Sequence, residues 1–222
     1  MLKRLIAFAT ACTLLAATIG TTMAAELKRQ DIQNKEAALS NDGRNVDAGY
    51  LLRENFFQTN GYIGLSGWDK KNISNAHITN IVNDSSRTDD AYIAKDFASQ
   101  EESVTMEFRI IQTQTTNGGD IKLKSGDEDA VSLKISDNKL YYVNSDGSTT
   151  FLNDMNFERW MGIKIVANVT DQTATVMVDG MTKAENVPFS VPQETINRVY
   201  FGIDKEGTGS YSLGYVFIYT GY

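Results

Sequence analysis

Beyond Tyr50 the chain alternates apolar and polar residues in short runs, broken about every ten residues by Gly, Asn, Asp and Ser. In "SVTMEFRII", Val104, Met106, Phe108 and Ile110 fall on one side and Thr105, Glu107 and Arg109 on the other. That is the two-residue period of a strand with one buried face. "ERWMGIKIVANVTDQTATVMVDG", Glu158 to Gly180, repeats the pattern twice. Ile163, Ile165, Ala167 and Val169 point inward, Lys164 and Asn168 outward, "TDQT" makes the reversal, and Asp179-Gly180 ends the returning strand.

The same reading predicts strands at Leu52–Phe57, His77–Val82, Ala91–Phe97, Ser103–Thr113, Asp120–Ser125, Ala130–Ser136, Lys139–Asn144, Trp160–Val169, Thr173–Val178, Arg198–Ile203 and Leu213–Thr220. "SDNK" and "NSDG" carry the chemistry of further tight turns. Pro188 and Pro192 bracket a loop, "NVPFSVPQ". No long helical period appears, so the class is all-β, and the many hairpins favour a two-sheet antiparallel β-sandwich over a parallel α/β sheet.

Before Tyr50 the texture differs. Lys3 and Arg4 precede an apolar run of about 16 residues from Leu5 to Gly20 and then the small residues ending Thr22-Met23-Ala24. This is the pattern of a secretory signal peptide over 1–24. It falls short of the ~20 apolar residues of a membrane span. Residues 25–49 are polar and free of aromatics, an N-terminal spacer. One β-sandwich over 50–222 completes the organisation.

Cys12, the one cysteine, lies in the leader, so the mature chain has no disulfide and no thiol chemistry. Its core must hold without cross-links. Loss of Lys3 and Arg4 takes the formal charge from −7 to −9, which argues against nucleic acid or an acidic membrane as partner. Oligomeric state is not legible.

A series of segments carries a family likeness: "ENFFQTNGYIGLSGW", "AYIAKDFASQEESVTMEFRI", "LYYVNSDGSTTFL", "RWMGIKIVANVTDQTATVMVDGMTKAENVPF" and "GYVFIYTGY". In this order they resemble the concanavalin A-like (laminin G-like) jelly-roll domains found as modules of secreted bacterial polysaccharide lyases and glycoside hydrolases. The resemblance runs from about Asn55 to the C-terminus. It implies a jelly roll and a glycan or polysaccharide as partner.

Related jelly rolls also bind a structural calcium ion. Here Gly214 stands where an acid is expected, and Glu54, Asp84, Asp204 and Glu206 are the oxygens left to supply. No residue is assigned as a metal ligand.

Hydrolases of this class carry paired carboxylates at alternate positions of one strand, which aims both into one groove. The chain has no such motif: "EDAVSLK" has the wrong order, and Glu101 and Glu102 are adjacent and so face opposite ways. His77 is the one histidine, too little for a Ser-His-Asp or two-histidine metal site. No catalytic residue is assigned. "NGGD" and "KEGTG" read as turns, because no helix follows them to cradle a phosphate.

Carbohydrate binding is the stronger expectation, since aromatic rings stack on sugar C–H faces while amide and charged groups read the hydroxyls. The candidates are Trp68, Tyr92, Glu107, Arg109, Tyr142 and Asn144, together with Tyr141; Tyr141 and Tyr142 face opposite sides of their strand, so at most one of that pair is core. An enzyme version would bring Arg109, Tyr142 and Glu107 or His77 together in one groove. A structural or adhesion module without a sugar site is the third reading.

Overall fold

The computed structural model describes residues 49–56, 67–73, 80–84, 89–112 and 114–221, all within the compact unit Asp47–Tyr222. The leader, residues 25–48 of the spacer, His77 and the side chain of Asp84 lie outside the described residues. Among those described there are thirteen strands and no helix. They are β1 (Tyr50–Asn55), β2 (Asp69–Lys71), β3 (Asn80–Asp84), β4 (Ala91–Gln100), β5 (Ser103–Gln112), β6 (Asn117–Ser125), β7 (Glu128–Ser136), β8 (Lys139–Val143), β9 (Thr149–Asp154), β10 (Met161–Asn168), β11 (Thr173–Val178), β12 (Met181–Pro188) and β13 (Ile196–Thr220).

Every strand ladder is antiparallel, along the path β12-β11-β10-β5-β13-β6-β7-β8-β9. The two runs predicted at Arg198–Ile203 and Leu213–Thr220 are halves of one 25-residue strand, β13. Its first half lies between β4 and β6, and its second half lies between β5 on one side and β1 and β3 on the other. Where it changes neighbours, the space is too tight for side chains: a Cβ on Gly207 would meet the Asn117 carbonyl oxygen, and one on Gly209 the backbone of Thr115 and Thr116. The glycines read as turns therefore sit inside strands β6 and β13, where the backbones approach closely.

Local geometry bears out the turns and corrects one further expectation. Asp179 and Gly180 both have positive φ, 49° and 79°, the left-handed pair of a two-residue hairpin. They end β11 as expected, and the chain then returns as β12, a strand not predicted from the sequence, paired with β11. Pro188 is the last residue of β12 and not part of a loop; at the end of the sheet path its missing N–H is tolerated. "SDNK" reverses as expected, through Asp137 and Asn138 at φ 49° and 60°.

The inward residues of the two sets of strands share one core. Ile163, Ile165 and Val176 are buried, and Phe108 of β5 meets Phe201 of β13 edge-to-face at 5.3 Å. Each such fully buried side chain contributes about 1.5–3 kcal/mol. The sheet is nearly closed on itself, since its two end regions are clasped. The Tyr142 hydroxyl donates to the Pro188 carbonyl at 2.6 Å, and Ser190 Oγ donates to the Val143 carbonyl at 2.7 Å.

Candidate functional site

Because Phe201 and Phe108 face each other across the core, the alternate residues of β13 and β5 leave it on opposite sides. On the β13 side, the register sets three rows across the strands. The first runs Asp96, Arg198, Lys124, Asp129. The second runs Asp69, Ala94, Tyr200, Lys122, Ser132. The third runs Lys71, Tyr92, Gly202, Asp120, Lys134, Tyr141, Phe151. From β4 to β9 the third row crosses five strand intervals, roughly 24 Å at ~4.8 Å each.

Tyr200 is the centre of this face. Its ring lies over Gly202, where a Cβ would come within 2.5 Å of Tyr200 Oη. Tyr92, opposite Gly202 in register, stacks on it at 5.3 Å and 27°. Lys122 Nζ and Lys124 Nζ sit 5.4 and 5.8 Å from its centroid, close enough for cation–π attraction. At the far end of the third row Tyr141 and Phe151 meet edge-to-face at 6.0 Å, and Phe151 is 51% exposed.

The charges between these aromatic ends are paired. Lys122 bridges Asp120 at 3.2 Å and Asp129 at 2.9 Å, and Lys124 reaches Asp129 at 2.5 Å. Burial pushes the Asp120 carboxyl above its ordinary range, against the pull of Lys122. Burial acts upward on Asp129 too, but its hydrogen bonds from Lys124 and Lys122 outweigh it and hold that carboxyl low. Lys122 stays firmly protonated, since Asp120 and Asp129 more than offset its burial. The Tyr200 hydroxyl is raised chiefly by burial and then by Asp120 and Asp90, so it is a hydrogen-bonding group and not a base.

The six sequence-predicted residues are not brought together. Tyr92 lies in the Tyr200 face, and Asn144 follows the end of β8, where it braces the β8–β9 turn through Ser148 Oγ at 2.9 Å and Thr150 Oγ1 at 3.1 Å. Trp68 is buried, packed at 5.9 Å against Phe56 and under Lys95 Nζ at 5.5 Å, with no hydrogen-bond partner for its Nε1 among the described residues. Tyr142 is core, its hydroxyl spent on Pro188 and pushed up to about 12 by burial. An apolar strand position that carries a polar tip suits a clasp between sheet ends as well as it suits a sugar site.

Glu107 and Arg109 lie on the outer side of β5, away from Tyr200. There Glu107 accepts from the Tyr219 hydroxyl at 2.6 Å and pairs with Lys164 at 3.1 Å. The enzyme version built on Arg109, Tyr142 and Glu107 thus loses its shared groove. Of the oxygens offered for calcium, the side chain of Asp84 lies outside the described residues. Glu54 pairs with Lys95, and Asp204 faces Lys134 at 3.8 Å and accepts from the Glu206 amide at 3.1 Å. Among the described residues no three His, Cys, Asp or Glu side chains cluster to hold a metal ion.

Tyr200, Asp120, Lys122 and Asp129 were missed by sequence reasoning. "RVYFGID" shows only one tyrosine in an alternating run, and its importance comes from Gly202 two residues on, which gives the ring its bed. A glycine at an outward strand position beside a tyrosine is the signal that could have found it.

No protein-family model and no curated protein matches the chain. Solved structures do resemble it. A chain described as "Sialidase" has a TM-score of 0.65 at 15% identity, over 77% of this chain and 18% of its own. Apo Crh5 transglycosylase has a TM-score of 0.56 at 14% identity, over 77% and 84%. The Emp47p carbohydrate recognition domain has a TM-score of 0.50 at 10% identity, over 79% and 99%. The chain spans about a fifth of the sialidase and most of the other two, and at these identities the likeness is one of β-rich fold.

Proposed function

We propose that the protein is an exported, lectin-like β-sandwich of the concanavalin A-like kind that binds a polysaccharide or glycan without chemistry of its own. The leader pattern over 1–24 supports export, the polar stretch 25–49 a spacer, and 50–222 the sandwich. One observation carries the binding assignment: a row that joins the stacked Tyr92–Tyr200 pair to the Tyr141–Phe151 pair across roughly 24 Å of sheet. Aromatic surfaces at both ends with hydrogen-bonding charges between them suit a chain of sugars laid across the strands. A carbohydrate recognition domain and two enzymes named for sugar chemistry among the fold's relatives agree with this.

Affinity electrophoresis of the mature protein through polysaccharide-containing gels tests it. Retardation should fall on Tyr200→Ala and persist on Phe217→Ala, which lies on the opposite outer face beside Glu107. Equal loss in both variants, or none in either, would remove the site from the Tyr200 face.

A further inference from the structure

We infer that the ligand of this face is an uncharged glycan, because the protein's own carboxylates already occupy every cation along the three rows. The inference rests on the glycan-binding assignment above and names its substrate class. Arg198 is forked between Asp96 at 2.7 Å and Asp69 at 2.5 Å, and its side chain is only 19% exposed. Lys124 and Lys122 share Asp129, Lys122 also holds Asp120, and their side chains are 13% and 18% exposed. Lys134 faces Asp204, and Lys71 pairs with Asp89. Five cations therefore meet six carboxylates, Asp69, Asp89, Asp96, Asp120, Asp129 and Asp204.

A uronate or sulfate on a sugar would have to displace one of these carboxylates and leave it charged beside a second anion. Breaking one of the partly buried pairs on Arg198, Lys122 or Lys124 in that way is unfavourable, since a charge out of water needs its partner; the pairs of Lys71 and Lys134, with the lysines 42% and 40% exposed, lie at the margins and add little. Hydroxyl groups ask for no such exchange. Each can donate to a carboxylate and accept from an ammonium without separating the pair, and the rings at either end take the C–H faces. The formal charge of −7 for the whole chain adds a long-range field that repels acidic polymers.

The test compares gels cast with neutral polymers (galactomannan, laminarin, hydroxyethyl cellulose) and acidic ones (polygalacturonate, alginate, chondroitin sulfate). It is run at about 0.01 M and about 0.15 M ionic strength, Debye lengths of ~30 and ~8 Å. The wild type should be retarded by at least one neutral polymer and by no acidic one at either salt. Asp129→Asn, which frees charge on Lys122 and Lys124, and the double variant Asp120→Asn/Asp129→Asn should gain retardation by acidic polymers at low salt that fades at high salt. A folded state matching wild type by circular dichroism qualifies each variant.

Wild-type retardation by an acidic polymer overturns the neutral-ligand inference while leaving glycan binding standing. A wild type retarded by nothing overturns the glycan assignment, and the inference with it. Variants that gain no acidic affinity overturn the argument that the carboxylates are what exclude anions.

Discussion

Gly202→Ala isolates the packing on which the Tyr200 face depends. Gly202 does not require a left-handed backbone, so alanine suits its conformation. The obstacle is steric: the new Cβ would lie 2.5 Å from Tyr200 Oη and 2.7 Å from Cε1 and Cζ. The near atoms belong to the far end of a side chain, so the ring swings away and the strand stays. That forfeits the stack on Tyr92, worth about 0.5–1.5 kcal/mol. It also forfeits two cation–π contacts with Lys122 and Lys124, worth about 0.5–1 kcal/mol each. Removing a glycine from a strand interior returns about 0.5–1 kcal/mol. The net loss is about 0.5–3 kcal/mol, or a fall in Tm of roughly 1–12 °C for a domain of this size.

A double-mutant cycle with Tyr200→Ala, read by urea unfolding, separates the clash from any general cost of alanine. With the ring gone, Gly202→Ala should be neutral or stabilising. Polysaccharide retardation should fall in Gly202→Ala as it does in Tyr200→Ala, and no further in the double variant. A destabilisation that is equal with and without the Tyr200 ring would refute the reasoning, because the ring would then not be what the Cβ meets.

Other consequences follow from the clasp and the core. Tyr142→Phe keeps the ring and leaves the Pro188 carbonyl without its donor, which should cost about 1–3 kcal/mol in urea unfolding; no change would mean the sheet ends are not held there. The Tyr142 hydroxyl ionises at about 12 when folded, against 10.0 ordinarily. The folded state thus keeps its proton longer than the unfolded one. Its contribution is complete below pH ~10 and disappears as pH rises through about 12, a loss of about 3 kcal/mol. Tyr200 and Tyr211 shift the same way through burial, so absorbance at the phenolate band should show tyrosines that titrate only as the protein unfolds. Smooth titration of every tyrosine before unfolding would contradict this. Phe108→Ala removes one half of the contact with Phe201 and should destabilise by about 3–5 kcal/mol; a loss under about 1 kcal/mol would mean the two sides do not share a core.

Much of the architecture was legible because strand alternation is written residue by residue. Thr173–Val178 emerges with the bounds it has in the fold, and β5, β10 and β8 within a residue at either end. Strands that lack alternating apolar residues were not legible: β2 is Asp-Lys-Lys, β9 is polar but for Phe151 and Leu152, and β12 is half polar. Their pairing comes from neighbours and turns and not from their own composition. The continuity of β13 was hidden by "DKEGTGS", whose glycines look like a break and in fact permit a close crossing. The site was legible only at Tyr92 and Tyr141. Trp68 and Tyr142 have the residue types of a sugar site, but only register and burial tell a platform from a core ring with a hydrogen bond. Rows that join β4, β13, β6, β7, β8 and β9 are made by residues distant in sequence, so no local pattern announces them.

Amide chemical-shift mapping with a polysaccharide fragment that retards the protein is the most direct measurement of where binding occurs. Tyr92, Gly202, Asp120, Lys134, Tyr141 and Phe151 should move together as one stripe, while Glu107, Lys164 and Phe217 on the other outer side stay still. Shifts centred on that second group, with the stripe unmoved, would contradict the account.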